Sequence, residues 1–550
     1  MLKVDLSYDR LIQTAERLID ARDYMGALKI LNKNCELNDD DGYAHLLYAQ
    51  IFDDVGLFER SVNEWFKFLA FSDYVDGDEL DEAYEGLAVG FMNVGNEQFS
   101  ASYYNKLLKN SGDIPDEVRS TLMESFLSRE ENPLKFVYPP EIADCSGIIA
   151  DGVGYMKDSE FEKAAAEFKK VNRHNKDYNL ARNYLAMSYI INDKIDEAEQ
   201  ICNELIGIKP DDVHAMTTLV AVKTEQGKRD ESKQLAEKLL KLDISSSDDI
   251  FKIATVCCEN GMHEEAYNQL CKLEQKLPFD PSVLYFKAIS AFNCGKYKEC
   301  FDAFDKIITV DKNAVIAKYY REEARIAVKK GDTAPMSYFY RMPKKERESS
   351  LKLLAVVSAM SNKQIKQVFE ELDISDCVRW CFDEGENNTE LQFLGAMCAV
   401  KGRIDDVVCD ILLDAFQQDE LKIRMLFEIG KRNEDLSLNV VFCNVLKTVD
   451  FYKLKIGRIK RKNFVGGYAQ LTSRFGILDD GLSERFALAA ERLYAKLESE
   501  QKLYSVGSAS EIAAAVLLYS KIKLPKLSRR NEICKYFRVD SNEIFDRYGV

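Results

Sequence analysis

Apolar positions along this chain recur at three- to four-residue spacing in short runs, the rhythm of amphipathic helices that bury one face. Between about Tyr8 and Ala314 the runs also obey a longer period. Related segments, DYMGAL at Asp23, LFERSV at Leu57 and NEQFSA at Asn96, set a register in which units begin at about Tyr8, Gly42, Asp81, Cys145, Asn179, Val213, Ser247 and Pro281. The last five starts are 34 residues apart without a slip. The eighth position of a unit reads Ala15, Ala49, Ala88, Gly152, Ala186, Val220, Ala254 and Ala288. The twentieth reads Ala27, Ser61, Ser100, Ala164, Ala198, Ser232, Ala266 and Cys300. Small residues at both places predict two helices in close contact. The fifteenth is Gly at Gly56, Gly95, Gly227, Gly261 and Gly295, which suits the left-handed turn that ends a helix. Large apolar residues return at the twenty-fourth, as Leu31, Trp65, Tyr104, Phe168, Leu270 and Phe304. Pro210 and Pro278 fall between units, where proline stops a helix.

These positions resemble the tetratricopeptide repeat family over about Tyr8–Ala314, with one interruption. The resemblance implies an all-α, helix-pair solenoid and a protein- or peptide-binding role. In that family positions 5, 9 and 12 of the first helix face a concave groove. In the second block the resemblance therefore points to Ile149, Val153 and Met156; Asn183, Met187 and Ile190; Thr217, Ala221 and Thr224; Phe251, Thr255 and Cys258; and Tyr285, Ile289 and Phe292. The set is more apolar than charged, which suits an amphipathic helix or an apolar peptide. A Lys/Asn/Arg carboxylate clamp, as in chaperone-binding members, is not recognisable. Two plainer readings stand beside this one: these side chains pack repeat on repeat, or the groove holds the protein's own C-terminal domain.

The repeat pattern breaks at SREENPLKFVYPPEIAD, which holds Pro133, Pro139 and Pro140. The expected organisation is a first repeat block over 1–127, a proline-containing break over 128–144 and a second block over 145–330. The more polar Val315–Lys330 caps that second block. GDTAPMSYFYRMP, with Pro335 and Pro343, reads as a boundary. Residues 344–450 read as further helical pairs in which the small-residue signature is lost. YKLKIGRIKRK, from Tyr452 to Lys462, alternates apolar and basic residues around Gly457 and predicts a short β-hairpin.

The last hundred residues predict a small helical bundle. Ser483–Glu498 is amphipathic. Ala509–Lys523 is nearly apolar all round and should be its buried central helix. NEICKYF, a turn at Arg538–Asp540, and NEIFDRY behind Ser541 as N-cap follow at helix-turn-helix spacing. Ala513, Ala514, Ala515 and Tyr519, with Ile533, Val539, Ile544, Arg547 and Tyr548, resemble one cyclin-box repeat of the transcription factor IIB type. That resemblance implies a nucleic-acid or protein contact. Arg538 stands where the family's turn has glycine.

Charge changes the picture of this segment only. The chain of 550 residues carries a formal charge of −17 and a pI of about 5.1, which disfavours phosphate binding by the whole. From Phe451 onward, however, 19 Lys and Arg face 11 Asp and Glu, a net of +8, and the remainder carries −25. The basic candidates for a nucleic-acid contact are Lys453, Lys455, Arg458, Lys460, Arg461 and Lys462, then Arg529, Arg530, Lys535 and Arg538. A solvated face explains the same residues.

Chemistry is otherwise sparse. The 14 cysteines are scattered, with Cys257 and Cys258 adjacent, and show no C-x-x-C, the pattern of reduced core thiols in a cytoplasmic protein. Cys377 and Cys381 share a helix face but lack partners at zinc-ligand spacing. His45, His174, His214 and His263 are isolated in sequence. No phosphate loop, dinucleotide fingerprint, zinc-protease motif or nucleophile elbow is present. No cofactor, metal, membrane span or secretory leader is expected. The leading expectation is a non-enzymatic scaffold or adaptor that binds a protein or peptide. The alternatives are a regulatory protein whose basic C-terminal domain contacts nucleic acid, and an enzyme with an unrecognised site.

Overall fold

The computed structural model describes residues 7–550 apart from 111–144, 361–364, 366–373, 431–436, 451–458 and short gaps at 39–41, 73–74, 76, 158, 174, 332–333, 385–387, 443, 460, 476–479, 525–526 and 528. The chain divides into two compact units, residues 1–113 together with Pro343–Val550, and residues 114–342. The proline-rich break lies outside the described residues, as does nearly all of the hairpin expected at Tyr452–Lys462.

The second unit is built from paired helices: α7 (Ser146–Lys157) with α8 (Phe161–Phe168), α9 (Tyr178–Ile191) with α10 (Ile195–Ile208), α11 (Val213–Glu225) with α12 (Arg229–Leu239), α13 (Ser247–Glu259) with α14 (His263–Lys276), and α15 (Pro281–Asn293) with α16 (Tyr297–Val310). A single helix, α17 (Val315–Lys330), follows. The first unit opens in the same way, with α1 (Tyr8–Asp20), α2 (Tyr24–Leu37), α3 (Gly42–Asp54), α4 (Phe58–Phe71), α5 (Gly77–Asn93) and α6 (Glu97–Asn110).

The sequence period explains the pairing. Every residue at positions 8 and 20 of the eight units is buried, from Ala15 and Ala27 through Val220 and Ser232 to Ala288 and Cys300. A large side chain at either place would hold the two helices apart. At Gly152 even a methyl would come within 2.5 Å of the ring of Phe168, which fills position 24 and is fully buried. Burial of such a ring contributes about 2–3 kcal/mol. Position 15 is left-handed in all eight units. Five are glycines at φ +67° to +79°, and Arg22, Ser159 and Asp193 take the same turn at +58° to +60°. Side-chain caps begin several helices: Asp212 accepts from the Ala215 amide at 3.0 Å, and Asp280, just before Pro281, accepts from Val283 at 2.9 Å.

In the first unit α18 (Lys344–Ala359), α19 (Ser375–Asp383), α20 (Thr389–Gly402), α21 (Asp405–Leu413) and α22 (Asp419–Gly430) follow. The pair α20–α21 repeats the repeat turn: Ala396 stands at position 8, fully buried, and Arg403 at position 15 has φ +55°. Val408 replaces the small residue at position 20, which hid the repeat register of the pair in the sequence. The helical reading of 344–450 fails at its end. Strands β1 (Ser437–Phe442) and β2 (Val445–Asp450) pair antiparallel, with Phe442 opposite Val445. They form the one sheet among the described residues. SLNVVF and VLKTVD are rich in β-branched residues, and Asn444 turns between them at φ +59°.

This extension is fastened to α4. Asn63 donates to Asp414 at 2.9 Å and accepts from the Ala415 amide at 2.8 Å. Asn439 donates to the Ala70 carbonyl, and Tyr103 to that of Asn444, each at 2.8 Å. Lys67 bridges Glu64 at 3.3 Å and Asp410 at 3.0 Å. Burial alone would lower its pKa; the two carboxylates outweigh that and raise it.

The C-terminal bundle comprises α23 (Lys462–Phe475), α24 (Asp480–Ser499), α25 (Ala509–Ser520), α26 (Arg530–Phe537) and α27 (Ser541–Tyr548). Ile512 to Leu517 are fully buried, so α25 is the central helix. It starts on a capping box of Ser508 and Glu511. The cap of the last helix is Asp540 rather than Ser541: its carboxylate accepts from the Asn542 and Glu543 amides at 2.8 and 3.0 Å.

Candidate functional site

In the second unit each first helix touches the next, α9 with α11, α11 with α13 and α13 with α15, so the first helices line one face. That face has two halves. Along α7, α9 and α11 the positions are half open: Val153, Met156, Met187, Ile190 and Ala221 are partly exposed, as is Phe251 on α13. Asn183 and Thr217 lie deeper, at 2% and 9% exposure. The Thr217 hydroxyl bonds back to the His214 carbonyl at 2.9 Å. The side-chain oxygen of Asn183 finds no partner among the described residues, an unusual state for a buried acceptor.

On α15 the same positions are covered. Tyr285, Ile289 and Phe292 are all buried. Tyr285 is covered by a segment without helix or strand, 334–342, the one whose prolines mark a boundary in the sequence. Asn293 clamps its backbone through both amide atoms. Its nitrogen donates to the Met336 carbonyl at 3.0 Å, and its oxygen accepts from the Met336 amide at 2.7 Å. The Tyr285 hydroxyl donates to the Phe339 carbonyl at 2.8 Å, and that of Tyr320, on α17, to the Arg341 carbonyl at 2.8 Å. Tyr338 inserts its ring. It stacks on Phe286 at 6.1 Å and 16°, and on His263 at 5.7 Å and 28°. Its hydroxyl lies 2.9 Å from Nδ1 of His263. Phe251 meets Phe286 edge-on at 5.6 Å, which joins the covered half to the open one. Burial lowers the pKa of His263, with Glu265 opposing, and raises those of the Tyr285 and Tyr338 phenols.

Asn293, Tyr320, His263, Phe286 and Tyr338 were not singled out by sequence. Tyr338, Phe339 and Tyr340 stand in a row in an otherwise linker-like stretch, a composition that a solvated linker does not need. That was the available signal.

Of the basic candidates, Lys453, Lys455, Arg458 and Lys460 lie outside the described residues. Arg461 is exposed just before α23, and Lys462 begins that helix. Arg529 is exposed near Glu532, Arg530 stacks over Phe545 at 5.0 Å, Lys535 is exposed, and Arg538 caps α26 in the left-handed conformation at φ +54°.

Among the described residues no three His, Cys, Asp or Glu gather as a metal site, and no helix is long and apolar enough to cross a membrane. The described cysteines are free thiols. Burial pushes Cys202, Cys257 and Cys258 up to about 12.

Residues 226–307, from the end of α11 into α16, match the family described as anaphase-promoting complex, cyclosome, subunit 3. The match falls on helix pairs that already carry the 34-residue frame, its small contacts and its left-handed turns. These helix pairs have the tetratricopeptide-repeat fold. Solved tetratricopeptide-type structures are similar to the chain at low identity. Yeast Tom70 is 14% identical, covering 78% of this chain and 95% of that one, with a TM-score of 0.27. The human IFIT1 dimer with PPP-AAAA is 12% identical over 79% and 97%, also at 0.27. The TPR2AB domain of yeast Sti1, in complex with an HSP90 peptide, is 15% identical over 48% and 98%, at 0.20. No curated protein sequence matches the chain.

Proposed function

We propose that the protein is an interaction scaffold whose second repeat block takes a segment of a partner protein on its first-helix face. The observation that carries this reading is the open half of that face. Val153, Met156, Met187, Ile190 and Ala221 are apolar side chains left partly exposed on three successive first helices, α7, α9 and α11. A contiguous apolar face on a soluble repeat marks an interaction surface. The buried, unpartnered oxygen of Asn183 beside it supplies a polar anchor for a ligand donor. Affinity capture with the full chain tests the reading. Met187→Glu with Phe251→Glu is expected to remove the partners captured by the wild type while leaving helix content unchanged. An unchanged partner set overturns the reading.

A further inference from the structure

The covered half of the face shows how it holds a ligand, because one is seated there. Residues 334–342 are held chiefly through their backbone, at Met336 by Asn293, at Ser337 and Phe339 by Tyr285 and at Arg341 by Tyr320. Met336 and Tyr338 are partly buried, whereas Ser337, Phe339 and Tyr340 are exposed, Phe339 at 80%. Backbone contacts of this sort are independent of sequence. Selectivity resides in the slot between His263 and Phe286, which takes a flat aromatic ring with a hydroxyl at its tip.

Two features distinguish this seat from ordinary core packing. Two of the groups that hold the segment are buried tyrosines, Tyr285 on α15 at 3% and Tyr320 on α17 at 7% exposure, beside the partly exposed Asn293. Tyrosine hydroxyls so placed require acceptors, which backbone carbonyls of any extended chain supply. The segment itself has no helix or strand and bends at Tyr338–Tyr340.

We propose that the face formed by Asn293, Tyr285, Tyr320 and the His263–Phe286 slot is a binding site for a peptide held through its backbone, with a tyrosine two residues after the one clamped by Asn293, that residues 335–342 occupy it as an internal ligand, and that a partner segment of the same chemistry enters by displacing them. The inference rests on the peptide-binding reading above and adds the ligand's form and its competitor. A tethered segment acts at an effective concentration on the order of millimolar, so it holds the site closed against weak ligands and yields to strong ones.

The test uses the full chain and a fluorescein-labelled peptide, APMSYFYRMP, followed by fluorescence anisotropy. Replacing 335–341 by glycine and serine at equal length is expected to give saturable binding about a hundredfold tighter than to the wild type. In that replaced chain Asn293→Ala weakens the peptide by about tenfold, the loss of two backbone hydrogen bonds. Tyr338→Ala in the peptide weakens it at least as much, whereas Phe339→Ala changes it less than twofold. No binding to a replaced chain of wild-type helix content overturns the proposal, as does equal sensitivity to Tyr338→Ala and Phe339→Ala. Should the replacement unfold the chain, full-length Tyr338→Ala serves instead and is expected to admit the unchanged peptide more tightly than the wild type; equal affinity overturns the proposal. The two readings separate cleanly. Peptide binding that fails while partner capture still depends on Met187 makes the segment a fixed brace and leaves the scaffold reading standing. Peptide binding that succeeds while capture ignores Met187 keeps this site and discards the open half.

Discussion

Gly227→Ala isolates the backbone term that shapes every repeat turn. Gly227 sits at φ +73° between α11 and α12, and a methyl placed there meets nothing within 4 Å. The substitution therefore changes conformational energy without a clash. An L-residue in the left-handed region costs about 1–2 kcal/mol. Restriction of the unfolded chain returns about 0.4–1 kcal/mol of that. The expected net loss is about 1 kcal/mol. With a urea dependence of about 2 kcal/mol per molar, the midpoint falls by about 0.5 M. Asparagine, which tolerates this conformation, should lie between glycine and alanine, and valine should be worst. The assay is urea unfolding of the full chain by far-UV circular dichroism, reading the transition of residues 114–342. A Gly227→Ala midpoint at or above the wild-type value, or valine better than asparagine, would refute the assignment of this turn to backbone strain.

His214 and His263 both have pKa values lowered by burial from the ordinary 6.5. Their neutral forms stabilise the fold above pH 6.5, and that contribution is lost as pH falls through the lower folded values. Urea midpoints of the second unit should decline on acidification below 6.5, and His263→Gln should flatten part of the decline. Cys202, Cys257 and Cys258, pushed up to about 12, should resist a thiol reagent at pH 8 in the native chain and react on unfolding; rapid native labelling of any of the three by mass spectrometry contradicts their placement. Lys67→Met leaves Glu64 and Asp410 without their shared cation in a partly buried site, at a cost of about 2 kcal/mol to the first unit, measured by thermal unfolding.

The helix pairs were legible because their contacts impose residue size at fixed spacing. Positions 8 and 20 lie where two helices touch, so seven of the eight repeats carry a small residue at position 8, Val220 being the departure, and all eight carry one at position 20. The turn was only partly legible. Five repeats use glycine, but Arg22, Ser159 and Asp193 adopt the same left-handed conformation with side chains that say nothing of it. Pair α20–α21 was read as helical, but its repeat register was not, because Val408 broke the size rule while the backbone kept it. The β-hairpin at 437–450 was read as helix because short apolar runs do not reveal their period. Fastening of α4 to residues some 350 positions later, through Asn63 and Asp414, leaves no mark in a single sequence. Site residues divide in the same way. First-helix positions of α7, α9 and α11 came from the tetratricopeptide resemblance. The seat of 334–342 did not, because Asn293 and Tyr320 lie outside positions 5, 9 and 12, and the segment carries the prolines of a linker.

The central claim is that a partner engages the first-helix face of the second repeat block. Its most direct measurement is site-specific photo-crosslinking of the full chain, with a benzophenone side chain at Met187 and, as control, at Lys272 on the exposed face of α14. The account predicts partner peptides crosslinked from Met187 and none from Lys272. Equal yield from the two positions, or partner capture from Lys272 alone, would contradict it.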